Sequence, residues 1–272
     1  TYDRRGLVSR EDLSRFVAID REKHRRRARS SLLEFTHHTK DDYDAGWFHE
    51  SLCHVLEKFA AGEIPRLMIM APPGAAKSSY ASILYPPWFL GRNPGMSIIG
   101  ASHAGELAER FGRRVRNLVG SNEFRRVFGF GLSGDNAAAG RWETEKGGEY
   151  YAVGVDASVT GRRADVGIID DPTKGRAEAD SAQIRQRTID WYKADFWPRL
   201  KPGGRIVIIT TRWHEMDLAG WLLAEQDNGG EQWEVLSLPA EAGLDDPLGR
   251  EPVELLWPEW FTPAMFREAK RD

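Results

Sequence analysis

The stretch Arg66-Leu67-Met68-Ile69-Met70-Ala71-Pro72-Pro73-Gly74-Ala75-Ala76-Lys77-Ser78-Ser79 constrains this chain more than any other. Its apolar start predicts a short buried strand, Pro72-Pro73-Gly74 a tight loop, and Lys77-Ser78 the start of a helix. That order makes a phosphate-binding geometry. Main-chain N–H groups curl around phosphate oxygens, the helix turns the positive end of its dipole toward them, and a lysine adds full charge. The usual pattern is G-x-x-x-x-G-K-S/T; here Ala71 and Ala76 stand at both glycine positions, and Gly74 remains inside the loop. Pro72 and Pro73 have no N–H, which leaves the amides of Gly74, Ala75, Ala76, Lys77, Ser78 and Ser79 to form the cradle. An alanine held at positive φ costs on the order of 1 kcal/mol. The plain alternative is a Pro-Gly turn before an ordinary helix with an exposed lysine.

A second stretch weighs against that alternative. Val166-Gly167-Ile168-Ile169-Asp170-Asp171-Pro172 predicts an apolar strand delivering two carboxylates at its C-terminal end, where ligands sit in a nucleotide-binding sheet. The first acid suits Mg²⁺; the second, facing the other way, suits positioning of an attacking water. A strand that merely ends in an Asp-Asp-Pro turn is the competing reading. A third core strand, Arg205 to Ile209, runs into Thr210-Thr211, placed either to sense a γ-phosphate or simply to cap the strand.

Around these anchors the pattern predicts alternating strands and helices, hence a mostly parallel α/β sheet. Ser9 caps a helix running to about Ser30, whose basic run Arg21 to Arg29 is either a solvated face or a contact to DNA phosphates. A helix near 45–61 carries Trp47, Phe48, Leu52, Val55, Leu56 and Phe59 at helical spacing; Trp47, His49 or His54 is placed for an adenine ring or for plain packing. Further helices are expected from Lys77 to about Leu84, disturbed by Pro86-Pro87, and from Ala104 to Val119. The latter directs Leu107, Phe111, Val115 and Leu118 inward and Arg110, Arg113, Arg114 and Arg116 outward. Residues 133–140 read as a loop, 141–154 as a hairpin, 177–197 as one long helix, 232–239 as a last strand and 262–271 as a terminal helix.

The net charge of −3 demands no nucleic acid, so any such contact is local. The single cysteine, Cys53, excludes an internal disulfide and fits a reducing compartment; the longest apolar runs are strand-length, which argues against a membrane span.

Four segments go beyond a generic nucleotide fold: Ala71 to Ser78, Thr160-Gly161-Arg162-Arg163-Ala164-Asp165 running into Ile168 to Pro172, Thr210-Thr211-Arg212-Trp213-His214-Glu215-Met216-Asp217-Leu218-Ala219-Gly220, and Trp257-Pro258-Glu259-Trp260-Phe261. In this order the chain, from about Trp47 onward, resembles the large terminase subunit of tailed bacteriophages. The resemblance implies a RecA-like P-loop NTPase of the additional-strand type, using ATP and Mg²⁺ to move double-stranded DNA. It implies a homo-oligomeric, pentameric ring docked on a portal protein, with a small terminase subunit as partner, a monomer in isolation, and residence in the host bacterial cytoplasm. It makes Lys77 the phosphate-charge lysine, Ser78 and Asp170 the Mg²⁺ ligands, Asp171 the catalytic acid, Thr210 and Thr211 the coupling motif, and Arg162 a trans-acting arginine. Relatives often keep glycine where Ala76 stands. Residues 1–40 are expected as a helical arm and 41–272 as the ATPase domain; with no nuclease domain expected before Asp272, DNA cleavage is not. Another P-loop ATPase of helicase type, or a hydrolysis-deficient nucleotide-binding scaffold, is the competing class.

Overall fold

Three helices lead into the sheet in the computed structural model, which describes residues 9–40 and 45–260. Helix α1 (Arg10–Ser30) is capped as expected, Ser9 Oγ accepting from the Asp12 N–H at 3.0 Å. In its basic run Glu22 pairs with Arg25, Arg26 and Arg29 at 3.7, 3.2 and 3.8 Å, so part of that charge is neutralised within the helix. Ser31 ends α1 and caps α2 (Leu32–Thr39), which the sequence did not separate. Helix α3 (Trp47–Ala61) stops at Gly62, whose φ of 85° suits glycine.

Strand β1 (Arg66–Met70) passes through the loop into a helix that starts at Lys77. That helix does not end before Pro86-Pro87. Ser79–Leu84 widens into π-helical turns, the Tyr85 N–H bonding to the Tyr80 carbonyl five residues back, and α4 (Tyr85–Arg92) carries both prolines in its first turn. The wider turn absorbs the prolines' missing N–H groups. After β2 (Ser97–Ser102), α5 (Gly105–Val119) fully buries Ala108, Gly112, Val115 and Val119, so that of the expected inward row Val115 alone is fully buried. Leu107, Phe111 and Leu118 lie half-buried at its edge. Small residues let this helix approach the sheet: a Cβ on Gly112 would stand 2.9 Å from the Ala139 carbonyl, and the Trp142 indole N–H bonds the Gly112 carbonyl at 3.1 Å.

Helix α6 (Asn122–Phe128) precedes β3 (Leu132–Ala137), an edge strand where a loop was expected. The hairpin β4 (Arg141–Thr144) and β5 (Glu149–Gly154) follows, then β6 (Ala164–Asp170). The long helix expected next is broken: α7 (Arg176–Ala179) stops, and Ser181 caps α8 (Ala182–Trp191), which continues through irregular turns to Arg199. Strand β7 (Leu200–Thr210), helix α9 (Leu218–Asp227) and β8 (Glu234–Ser237) complete the described chain. The expected helix at 262–271 lies outside the described residues. No described helix is long and apolar enough to cross a membrane.

The eight strands form one sheet in the order β3-β4-β5-β2-β6-β7-β1-β8, parallel from β5 to β8, with the β3-β4 edge antiparallel. Central strands are buried on both faces, as parallel sheets with helices on each side require. Leu67, Ile69, Val207 and Ile209 join one core with α3 and α4, while Met68, Ile206 and Ile208 join the other with α8 and α9. Strand β7 lies between the loop strand β1 and the acidic strand β6. The carboxyl ends of all three open on one edge of the sheet.

Candidate active site

Two left-handed residues shape the loop after β1. Gly74 has φ 83°, and Ala76 has φ 55°, so the alanine carries the strain foreseen for that position. Something must hold it there. Ala75 is 1% exposed and packs in a small cluster with Phe48, Leu238 and Leu256, so the back of the loop is seated on apolar side chains. Trp257 joins from the Trp-Pro-Glu-Trp segment, 5.6 Å from Phe48 and 4.9 Å from His49, ring centre to ring centre. His49 is fully buried and stacked on Tyr80 at 4.8 Å, and burial pushes its pKa down to about 4. It therefore packs behind the loop as a neutral ring, whereas Trp47 and His54 are exposed.

In front of the loop, five predicted side chains converge. Lys77, 5% exposed, donates to Thr211 Oγ1 at 2.9 Å and lies 3.6 Å from Asp171 Oδ2. Ser78 Oγ donates to Asp170 Oδ1 at 2.8 Å, and Ser82 donates to Asp170 Oδ2. Ser82 was not anticipated, yet it stands four residues after Ser78 on the same helix face, a spacing that the sequence displays. Burial pushes the Asp170 carboxyl up to about 7, with the Asp171 charge acting in the same direction and the two serine hydroxyls against it.

Asp171 faces the other way, as expected for the residue after a strand end. Its φ of 43° turns the chain out of β6, and three contacts fix that turn. The Asp171 N–H bonds the Ile209 carbonyl at 2.8 Å, its carbonyl accepts from the His103 N–H at 3.3 Å with His103 Nδ1 at 3.2 Å, and its Oδ1 accepts from the Thr211 N–H at 2.8 Å. No sequence signal pointed to His103. The two threonines differ: Thr210 Oγ1 donates to the neighbouring Thr211 carbonyl at 3.1 Å and does not reach Lys77.

Arg162 is not brought to this site. It precedes the amino end of β6 and pairs with Glu149 Oε2 at 3.0 Å, 5.9 Å from the Tyr151 ring centre. The strand between it and Asp170, at about 3.3 Å per residue, places it roughly 20 Å from the loop of its own chain. The Thr-Arg-Trp-His…Asp-Leu-Ala-Gly segment has a structural reason. Arg212 Nε pairs with Asp217 Oδ2 at 3.2 Å, and Asp217 Oδ1 caps α9 at the Gly220 N–H, 2.9 Å away. A Cβ on Gly220 would stand 1.7 Å from the Glu215 carbonyl, so the turn admits only glycine there.

A serine hydroxyl beside a carboxylate at the exit of such a loop is a hard oxygen donor set, and it fits Mg²⁺. The loop amides and Lys77 fit the phosphates of a nucleotide. A parallel sheet with an extra strand between loop strand and acidic strand defines a RecA-like P-loop nucleotide-binding domain. Residues 68–249, well over half of the sequence, match the family described as "Terminase large subunit, T4likevirus-type, N-terminal", and the chain belongs to that family. Among solved structures it is similar to the HK97 bacteriophage large terminase, with 12% identity and TM-score 0.48 over 84% of this chain and 47% of that one. It is also similar to a mutant large terminase ATPase domain of a Thermus phage, with 17% identity and TM-score 0.44 over 65% and 68% of the two chains. The chain thus spans about half the length of the HK97 protein. No curated protein matches it in sequence.

Proposed function

We propose that this chain is the ATP-hydrolysing motor domain of a viral DNA-packaging terminase, with residues 1–40 as a helical arm and 41–272 as the ATPase domain. Hydrolysis would drive double-stranded DNA through a portal into a procapsid, from a pentameric ring that also engages a small terminase subunit. The observation carrying this reading is the convergence of Lys77, Asp171 and Thr211 within 3.6 Å of one another along a chain of contacts.

Lys77 neutralises phosphate charge, and the amides of Gly74 through Ser79 cradle the phosphates. Ser78 and Asp170 would hold Mg²⁺, which supplies further neutralisation of the phosphate oxygens. Asp171 orients the attacking water and accepts its proton. Thr211 touches both Lys77 and Asp171, so a change at the phosphates reaches β7 through it. Arg162 serves the neighbouring subunit, being remote from its own loop.

The test is ATP turnover by Lys77→Ala. The variant should keep the parent's circular dichroism and melting temperature and lose measurable turnover. Undiminished turnover would remove the P-loop reading, and nucleotide binding without any phosphate release in the parent would favour the scaffold reading.

A further inference from the structure

Where the Asp171 carboxylate points depends on two peptide units, because the planes on either side of a Cα fix the direction of its Cβ. The unit before Asp171 is tied to the sheet, its N–H donating to the Ile209 carbonyl at 2.8 Å. The unit after it leads into Pro172, whose nitrogen carries no hydrogen. The Asp171 carbonyl is therefore the one hydrogen-bonding group by which that second unit is held.

One residue takes that carbonyl twice. Strand β2 runs beside β6 with Ser102 opposite Asp170, so the next residues, His103 and Asp171, meet at the strand ends. The His103 N–H donates to the Asp171 carbonyl at 3.3 Å, and His103 Nδ1 lies 3.2 Å from the same oxygen. A carbonyl oxygen only accepts, so Nδ1 carries the hydrogen and both lone pairs of the oxygen are engaged. The clamp works against a disfavoured conformation. Asp171 has φ 43°, left-handed for a residue with a Cβ, and such turns persist where the surroundings hold them from several sides. Among the described residues, the His103 ring is the one side chain bonded to the Asp171 main chain.

We propose that His103 is a positioning residue for ATP hydrolysis: its ring pins the Asp171–Pro172 peptide and thereby aims the Asp171 carboxylate. Without the ring contact the turn relaxes toward extended backbone. The carboxylate then swings away from the Thr211 N–H and Lys77 Nζ, which now stand 2.8 and 3.6 Å from its oxygens. A carboxylate that has lost its aim still carries its charge, but orients the attacking water poorly. Nucleotide binding, which falls to the loop amides and Lys77, is left as it was. This role rests on the reading of the site as an ATPase and deepens it, since His103 acts through Asp171.

The experiment is steady-state ATP turnover by the full chain carrying His103→Ala, His103→Phe or His103→Asn, with melting temperatures measured alongside. Alanine removes the ring, phenylalanine keeps a ring without a donor, and asparagine sets an amide N–H on Cγ where Nδ1 stands. His103→Ala and His103→Phe should lower kcat about fivefold or more with KM for ATP little changed, and His103→Asn should recover most of that loss. The effect should also need its target: added to Asp171→Asn, His103→Ala should lower turnover less than about twofold further. The proposal is overturned if both donor-free variants turn over like the parent, if asparagine is as slow as alanine, or if the loss is undiminished in Asp171→Asn. Early melting of both donor-free variants would make the contact a structural one and overturn it too. Lys77→Ala separates this role from the reading beneath it. Turnover lost in Lys77→Ala but untouched in His103→Phe removes the positioning role alone. Turnover undiminished in Lys77→Ala removes the site, and the positioning role with it.

Discussion

Lys77 Nζ donates to Thr211 Oγ1 at 2.9 Å, joining the phosphate loop to the end of a strand 134 residues later. The contact separates two threonines that look equivalent in sequence. Thr211→Val keeps the side-chain shape and removes the acceptor, so kcat should fall about tenfold or more with KM little changed. Thr210→Val, which removes a hydroxyl that among the described residues bonds the next carbonyl, should lose far less. Steady-state ATPase kinetics on the two variants decide this, and equal losses would deny Thr211 its particular role.

The two aspartates should part company in a magnesium titration. Asp170 sits against Ser78 and Ser82, so Asp170→Asn should raise the Mg²⁺ concentration for half-maximal activity by about tenfold or more. Asp171→Asn keeps an acceptor for the Thr211 N–H but activates water poorly, so it should bind ATP and Mg²⁺ while turnover falls about 10²–10⁴-fold. Superimposable titration curves would end this division of labour.

His49 makes stability depend on pH. Its folded pKa, near 4, lies below the unfolded value of about 6.5, so the unfolded chain binds the extra proton between those values. Stability contributed by the neutral ring is therefore present above about pH 6.5 and declines as pH falls toward 4, by about 2 kcal/mol after allowance for partial screening. Urea denaturation at several pH values, with His49→Phe as the non-titrating comparison, reads this. The parent should lose more stability on acidification than the variant; parallel declines would place the acid sensitivity elsewhere.

Arg162 lies at the wrong end of β6 to serve its own loop, which leads to a complementation experiment. Arg162→Ala and Lys77→Ala chains should each be inactive in the assembled ring. Mixed, they should regain activity, because one contributes the intact loop and the other the arginine. Mixtures that assemble and stay inactive would move the arginine to another position.

The central fold was legible because its strands are buried on both faces. Leu67 to Met70, Ile168-Ile169 and Ile206 to Ile209 are apolar runs that nothing but a covered sheet accommodates, and the residues at their carboxyl ends stand out as polar. Elements whose form depends on neighbours were misread. Strand β3 (Leu132–Ala137) is held as an edge partner of β4, and its Ser-Gly-Asp-Asn sequence carries no strand pattern. The rotation of α5 follows from how closely Gly112 meets Ala139 and Trp142, a fit that helical periodicity cannot register. Likewise, the helix through Pro86-Pro87 survives because a π-turn, buried against the sheet, replaces the usual bonding.

The sequence by itself therefore determined which chemical groups this protein gathers at the strand ends: a loop with its lysine, a serine after it, two adjacent carboxylates and a threonine pair. Only the tertiary structure decided what each group faces. The alternation of directions at the end of β6 sends Asp170 to Ser78 and Ser82 and Asp171 to Thr211, and the insertion of β7 between β1 and β6 sets Thr211 beside Lys77. It also decided what stays apart, since Arg162 precedes the amino end of the strand whose carboxyl end carries Asp170. A one-dimensional pattern records residue type and period; strand order and side-chain direction arise from packing among segments more than a hundred residues apart.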